Sequence, residues 1–146
     1  MELTARVERA LLKILSFHID GLDLGKGVER FSGDEESYRQ VLRSYAANTR
    51  SLLESVKNVT QDSLAEYAIT VHGIKGSSRG IHADLAGDKA EALEQASKAG
   101  DFGFVSDNNR EFADIVERLL SDLDNMLNTI KLMSPSLKKN VRMKIY

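Results

Sequence analysis

The sequence predicts an all-α protein, an antiparallel up-down-up-down four-helix bundle with an additional N-terminal helix. One proline occurs in 146 residues, and it lies beyond the last periodic segment, at Pro135. Apolar residues recur at spacings of three and four in several long segments, which is typical of helices that bury one face. Short polar or glycine-containing stretches separate these segments, so consecutive helices are expected to fold back on one another. With 42% hydrophobic residues, the chain is long enough to form one domain around a single core.

We expect residues 1–18 to form an accessory N-terminal helix. The helical segment runs from Leu3 to Phe17. Its apolar residues share one helix face: Val7, Leu11, Ile14 and Phe17.

A loop connects this helix to the bundle, which we assign to residues 19–132. The loop is rich in glycine up to about Leu24, and a short helical turn is expected from there to Phe31. Ser32 and Glu35 have the spacing of a capping box, which predicts the start of the first long helix.

Each of the four bundle helices carries an apolar stripe. The first helix is expected to end near Asn58 and carries Tyr38, Val41, Leu42, Tyr45, Thr49, Leu52 and Val56. The second runs from Leu64 to Ile81 and carries Leu64, Tyr67, Val71, Ile74, Ser78 and Ile81. The third follows Ala83, ends at Ala99-Gly100-Asp101 and carries Ala86, Ala90, Leu93 and Ser97. The fourth has a seven-residue repeat formed by Phe112, Val116, Leu119, Leu123, Met126 and Ile130. Residues 133–146 have an excess of basic residues and no long regular apolar face, so we interpret them as a basic tail, a mobile extension or linker.

Composition excludes several classes of function. The 20 basic and 22 acidic residues leave a net charge of -2, which gives no overall attraction to nucleic acid or to anionic lipid. There is no cysteine and no apolar run of about 20 residues, so we expect a cytoplasmic protein that is not membrane-bound. The three histidines and their acidic neighbours lack the i, i+4 spacing of metal ligands, so no metal site is expected. Of these histidines, His82 lies beside a turn, and we expect it to have a structural role. His18 lies in a loop, and the spacing of its neighbours indicates no role for it.

The second helix presents a polar face around His72. Because each helical residue advances by about 100°, His72, Lys75, Gly76 and Arg79 fall within about 100° of arc, away from the apolar stripe. Glycine inside a helix costs about 1 kcal/mol relative to alanine, and close approach of a partner would compensate for that cost at Gly76. We therefore expect an exposed histidine on a surface where another protein can dock.

The docking face is predicted from small or uncharged neighbours of the histidine on the same helix. Ala68, Gly76 and Ala83 flank His72 with little side-chain bulk, and Ile69 adds an apolar contact. Arg79, a further turn away, suits the rim of this face.

Glu94 is expected to lie beside His72. If the chain turns back near Ala83, His72 stands eleven positions before the turn and Glu94 eleven after it. A carboxylate that accepts the Nδ1 hydrogen of an imidazole leaves the Nε2 lone pair free as a nucleophile. Lys75, one helical turn from His72, can neutralise a phosphoryl group placed at Nε2, and Arg79 is a weaker candidate for that role.

These residues match a known pattern. The segment from about Ile19 to Leu127 resembles the histidine-containing phosphotransfer (HPt) domain of bacterial multistep phosphorelays. The most specific part of the resemblance is His72-Gly73-Ile74-Lys75-Gly76-Ser77-Ser78-Arg79-Gly80-Ile81-His82-Ala83, with lysine three and glycine four positions after the histidine. Three further segments are similar to the family: Ile19 to Asp23, Ser32 to Asp34 with Tyr38 downstream, and Ala90 to Ala96.

The resemblance implies a phosphorelay intermediate. His72 would accept a phosphoryl group from an aspartyl phosphate on a receiver domain and pass it to another receiver. The resemblance also implies that Lys75 pairs with the phosphoryl group, that Gly76 leaves room for a partner to approach, and that Glu94 lies beside the imidazole. Such a protein is a monomer that has no kinase activity of its own and takes no cofactor. Its partners would be response-regulator receivers, with a hybrid histidine kinase as a further candidate.

The chain departs from the family at two positions near the turn. His82 stands where glycine is common, and Ala86 stands where a larger apolar residue is frequent. Local helix packing near the turn is therefore expected to differ.

Two other functions are compatible with the same residues. A helical docking or scaffold module would bind receivers without accepting phosphate. Alternatively, the chain would be the phosphoryl-accepting domain of a chemotaxis-type kinase, whose ATP-binding domain must lie on a larger polypeptide.

Overall fold

The computed structural model describes residues 14–132 in full, and residues 133–145 as the backbone of the last helix. These residues are all-helical and form five α-helices, with no β-strand among them. The helices are α1 (Leu24–Arg30), α2 (Glu35–Lys57), α3 (Leu64–Gly80), α4 (Asp84–Lys98) and α5 (Phe102–Ile145). Single turns of 3-10 helix occur at Ile14–Ser16 and Gln61–Ser63. The predicted all-α class is confirmed.

The four long helices enclose one hydrophobic core. The α3–α4 contact is the most extensive, α3 also packs against α2, and α5 packs against both α2 and α4. The predicted stripes supply most of the core, and all six stripe residues of α5 are buried. In the stripe of α2, Val41 and Leu52 are partly exposed, and the other members are buried.

Buried hydroxyl and amide groups join α2, α3 and α5 through the core. The Tyr67 hydroxyl donates to Oδ1 of Asn109 at 2.7 Å, and the Asn109 amide donates to the carbonyl of Val56 at 2.9 Å. The Tyr45 hydroxyl lies 2.8 Å from Oγ of Ser78. Because burial disfavours the charged form, the pKa of the Tyr67 hydroxyl is raised, so it remains a donor. These bonds fix α3 relative to α2 and α5.

The start of α2 differs from the predicted capping box. The N-cap residue is Asp34, whose carboxylate accepts hydrogen bonds from the Ser37 amide at 3.2 Å and the Ser37 hydroxyl at 2.8 Å. Ser32, the predicted cap, lies in a left-handed turn with φ of 56°. Glu35 is buried and accepts from the Ile14 amide at 2.9 Å, so it does not reach back to the cap. The predicted helix start is therefore correct to within three residues, but the capping residues are wrong.

The N-terminal accessory helix falls mostly outside the described residues. Residues 1–13 are not described, and the predicted helix residues Val7 and Leu11 are among them. The described end of that segment, Ile14–Ser16, is a 3-10 turn rather than an α-helix, and Ile14 is fully buried. The described helix outside the four long ones is α1, at the position where a short turn was predicted.

The C-terminal end of α5 differs from the predicted tail. The helix continues beyond residue 132 to Ile145, where the sequence predicted a mobile extension or linker. Pro135 lowers the expectation of a helix there, but the residues around it include leucine, lysine, arginine and methionine, which are good helix formers. The described helices include none with the length and apolar composition of a bilayer-spanning segment.

Gly27 provides a test of how α1 packs on α2. A Cβ at Gly27 would overlap the Tyr38 ring, which is fully buried and whose hydroxyl donates to the Ile81 carbonyl at 2.9 Å. We expect Gly27→Ala to lower the free energy of unfolding by about 1–3 kcal/mol, as overpacking does. Gly25 is the matched control in the same helix, because a Cβ there would meet its nearest atom at an ordinary 3.5 Å. Urea denaturation of both variants measures the difference, and equal stabilities would contradict this packing.

Candidate functional site

A tight turn reverses the chain between α3 and α4. His82 adopts a left-handed conformation with φ of 66°, and the amide of Ala83 donates to the carbonyl of Ser78 at 2.8 Å. The His82 carbonyl also accepts from the Asp23 amide at 3.0 Å, which joins the turn to the start of α1. A left-handed residue after a helix is usually glycine, which is the residue that the resemblance leads one to expect at this position. The backbone of His82 thus shapes the turn that sets the register of α4 on α3.

This register places Glu94 of α4 beside His72 of α3, as the symmetry of the turn predicts. His72 Nδ1 lies 2.7 Å from Glu94 Oε2. The imidazole is 63% exposed, whereas the Glu94 side chain is only 4% exposed. The ring therefore stands in solvent with a buried carboxylate behind it.

Within the described part of the chain, three side chains contact the Glu94 carboxylate. Besides His72, Lys75 Nζ donates to Oε1 at 2.7 Å and Lys98 Nζ lies 3.0 Å from Oε2. Hydrogen bonds from Lys75 and Lys98, and then from His72, lower the pKa of the Glu94 carboxyl to about 2 against the opposing effect of burial. Glu94 is therefore ionised at neutral pH.

The ionised carboxylate determines which imidazole nitrogen carries the proton. A carboxylate has no hydrogen to donate, so the short contact requires a hydrogen on Nδ1 of His72. In a neutral imidazole the other nitrogen, Nε2, then holds an unshared electron pair. The nucleophilic nitrogen of the neutral ring is therefore the one that does not face Glu94.

The charges beside that nucleophile favour an anion. Glu94 contributes one negative charge, and Lys75 and Lys98 contribute two positive charges. The surplus positive charge lies close to the imidazole and can compensate a negatively charged group on Nε2.

Lys98 was missed in the sequence, although a signal for it exists. It follows Glu94 by four positions on α4, and a glutamate four residues before a lysine is the favourable order for an ion pair on a helix. Its contact with the carboxylate could have been inferred once Glu94 was assigned to the site.

Arg79 lies apart from this cluster. Its guanidinium donates to Glu91 Oε2 at 2.7 Å and contacts Asp88 Oδ1 at 3.4 Å, both on α4. The Arg79 side chain passes over Gly87, where a Cβ would come within 2.8 Å of its Cγ. The hydrogen bond from Arg79 lowers the pKa of Glu91. Arg79 therefore braces α3 against α4 and does not contact Glu94 or His72.

The predicted docking face is partly exposed. Ile69 is 74% exposed, and Gly76 is exposed too, with no described atom outside the adjoining part of its own helix within 4 Å of the position that a Cβ would take. Ala68, in contrast, is 8% exposed and Ala83 is fully buried, so the prediction that they flank His72 on the exposed surface is wrong. The reason is that α3 packs against both α2 and α4 and so buries a wider arc than its main apolar stripe.

The remaining histidine lies elsewhere. His18 Nε2 is 3.0 Å from Asp20 Oδ1 in an exposed pair. Among the described residues, no group of three or more histidine, cysteine, aspartate or glutamate side chains is placed to hold a metal ion.

A scan against protein-family models and searches of curated proteins and of solved structures found no match.

Glu94 should make a pH-dependent contribution to stability. Its pKa is about 2 in the folded protein and ordinarily 4.5, so the contribution is complete above about pH 4.5 and is lost as the pH falls toward 2. We expect Glu94→Gln to be less stable than the parent protein at pH 7, with the difference shrinking between pH 4.5 and 2. Urea denaturation at a series of pH values measures it.

Glu91→Gln is the matched control on the same helix. Its carboxylate forms a 41%-exposed pair with Arg79, so its loss should matter less than the loss of Glu94. A Glu94→Gln difference that is the same at every pH would contradict the assigned ionisation.

Proposed function

We propose that this chain is a phosphorelay intermediate with the up-down-up-down bundle of an HPt domain. His72 accepts a phosphoryl group from an aspartyl phosphate on one receiver domain and passes it to another. The observation that carries the proposal is the pair formed by the buried Glu94 carboxylate and the His72 ring, whose side chain is 63% exposed. The contact holds a hydrogen on Nδ1, so in the neutral ring the electron pair is on Nε2.

The direction of the helices supports the bundle topology. In three of the contacting helix pairs, residue numbers rise along one helix as they fall along the other, which is the pattern of antiparallel neighbours. The pairs are Tyr38 with Ile81 and Tyr45 with Ser78 for α2 and α3, His72 with Glu94 and Arg79 with Glu91 for α3 and α4, and Arg50 with Asp124 and Lys57 with Glu117 for α2 and α5.

The proposed chemistry needs no proton transfer by this chain. The Nε2 electron pair attacks phosphorus, the bond from phosphorus to the aspartyl oxygen breaks, and the aspartate leaves as a carboxylate with that electron pair. The Nδ1 proton stays in place, so the ring becomes an imidazolium that carries the phosphoryl group. Glu94 stabilises this positive charge through the same 2.7 Å contact, as the acid of a catalytic triad does. Transfer to the next receiver is the reverse reaction on a second aspartate.

The surface around His72 supports docking of a partner protein. Gly76 has open space around it, so nothing in the described part of the chain requires a glycine there, and it costs helix stability. Exposed Ile69, three residues before His72, offers apolar area next to the reactive ring. We propose receiver domains as the partners, with a hybrid histidine kinase as a further source of phosphate. The proposal includes a cytoplasmic, monomeric protein without kinase activity of its own.

His72 labelling by a receiver is the decisive experiment. A phosphorylated receiver should transfer its label to the protein at an acid-labile, base-stable site, and ATP alone should not label it. His72→Gln should abolish the labelling because it removes the nucleophile. His82→Gln, the control at the adjacent turn, should still be labelled.

Each alternative outcome has a definite meaning. Labelling that survives in His72→Gln would contradict the assigned nucleophile. Receiver binding without label transfer, measured by titration calorimetry, would instead favour the docking or scaffold function.

A further inference from the structure

The two lysines at the site hold Glu94 in different ways. Lys75 lies within α3, its side chain is 19% exposed, and its ammonium contacts Oε1 at 2.7 Å. Lys98 is the last residue of α4, its side chain is 66% exposed, and its ammonium contacts Oε2 at 3.0 Å. Oε2 is also the oxygen that His72 contacts, so the Lys98 ammonium and the imidazole share one acceptor atom.

Lys75 is the lysine that must stay on the carboxylate. Oε1 is contacted by Lys75, and the carboxylate is 4% exposed, so withdrawing Lys75 would leave a buried charged oxygen without that donor. Removing one partner of a buried ion pair is far more costly than removing one partner of an exposed pair.

Lys98 can leave the carboxylate at little cost. Its contact with Glu94 is an i, i+4 ion pair with an exposed ammonium, and such pairs are weak. After its departure, Oε2 keeps the contact with His72 Nδ1. The position at the end of α4 and the exposed side chain leave its ammonium free to reorient next to the imidazole.

We propose that Lys98 is the lysine that pairs with the phosphoryl group, and that Lys75 is a positioning residue that holds Glu94, an assignment that rests on the proposed function. A phosphoryl group on Nε2 adds about two negative charges beside the cluster. The ammonium of Lys98 moves from Oε2 to a phosphoryl oxygen, and Lys75 remains on Oε1. The assignment differs from the family resemblance, which implies Lys75 as the phosphoryl partner.

The test uses a chemical phosphoryl donor, so that it does not depend on any receiver. The full chain with His18→Gln and His82→Gln retains His72 as its one histidine. Phosphoramidate transfers its phosphoryl group to Nε2: the N–P bond of the reagent breaks, a new N–P bond forms at His72, and the amine takes a proton from water and leaves as ammonia. The lifetime of the product is then followed by phosphorus NMR after the reagent is removed.

Lys98→Met should shorten the lifetime of the phosphorylated form about fivefold, the effect expected for one charge-assisted contact at an exposed site. Lys98→Arg should restore most of the lifetime because it restores the charge. Salt should shorten the lifetime in the parent protein, because it screens the contact between the Lys98 ammonium and the phosphoryl group. It should have less effect in Lys98→Met, which lacks that contact. Lys89→Met, on the same helix but paired with Glu111, is the matched control and should leave the lifetime unchanged.

Lys75→Met should mainly slow the labelling of His72, since Glu94 loses the donor that holds it. A shortened lifetime in Lys75→Met combined with an unchanged one in Lys98→Met would overturn the assignment. Equal lifetimes for Lys98→Met and Lys89→Met would overturn it as well.

The failures of the two proposals can be told apart. If phosphoramidate labels His72 and Lys98→Met shortens the lifetime, but no receiver transfers phosphate, the relay function fails and the role of Lys98 stands. If receivers transfer phosphate but Lys98→Met has no effect on the lifetime, the relay function stands and the role of Lys98 fails. If phosphoramidate leaves His72 unmodified, the exposed nucleophile itself is contradicted and both proposals fail.

Discussion

The buried carboxylate of Glu94 is the interaction on which the rest of the site depends. An ionised carboxylate that is 4% exposed would be strongly destabilising if it had no partners. Here His72 and Lys75 of α3 and Lys98 of α4 satisfy it. The same contacts orient the imidazole, keep the carboxylate charged and join the two helices. Removing the charge of Glu94 would therefore affect both the chemistry and the packing.

The contacts of Glu94 depend in turn on how closely α4 approaches α3. The buried residues at the start of α4 are small, namely Ala83, Ala86, Gly87 and Ala90. Small residues let two helices pack closely, and the α3–α4 contact is the most extensive in the protein. The left-handed conformation of His82 lets the chain reverse within the three residues between Gly80 and Asp84. The alanine at position 86, a departure from the HPt pattern, thus belongs to a continuous face of small side chains.

Sequence patterns predicted the features that follow from periodicity. The stripes of α3 and α5 follow from helical spacing alone, and Glu94 followed from counting residues away from a turn, because two antiparallel helices of equal pitch bring equidistant residues together. The ends of α3 and α4 carry recognisable signals, such as Gly100, which is left-handed with φ of 74°.

Features that depend on contacts between distant segments were not predicted. Ser32 and Glu35 fit a capping box, but Glu35 binds the Ile14 amide, 21 residues away, and Asp34 caps the helix. Arg79 pairs with acidic side chains of α4, and Ala68 is buried because α3 packs against two other helices. The spacing of residues within α3 alone shows neither contact. Lys98 could have been found from its spacing alone, but its meaning depends on the position of Glu94.

The tautomer of the His72 ring tests the central claim most directly. Nitrogen-15 NMR of the unphosphorylated protein, recorded at a pH where the imidazole is neutral, distinguishes a protonated from an unprotonated ring nitrogen. The contact with Glu94 predicts a hydrogen on Nδ1 and an unshared pair on Nε2. A ring with the hydrogen on Nε2, or a mixture of both forms, would show that Glu94 does not orient His72, and the nucleophile proposed here would lose its physical basis.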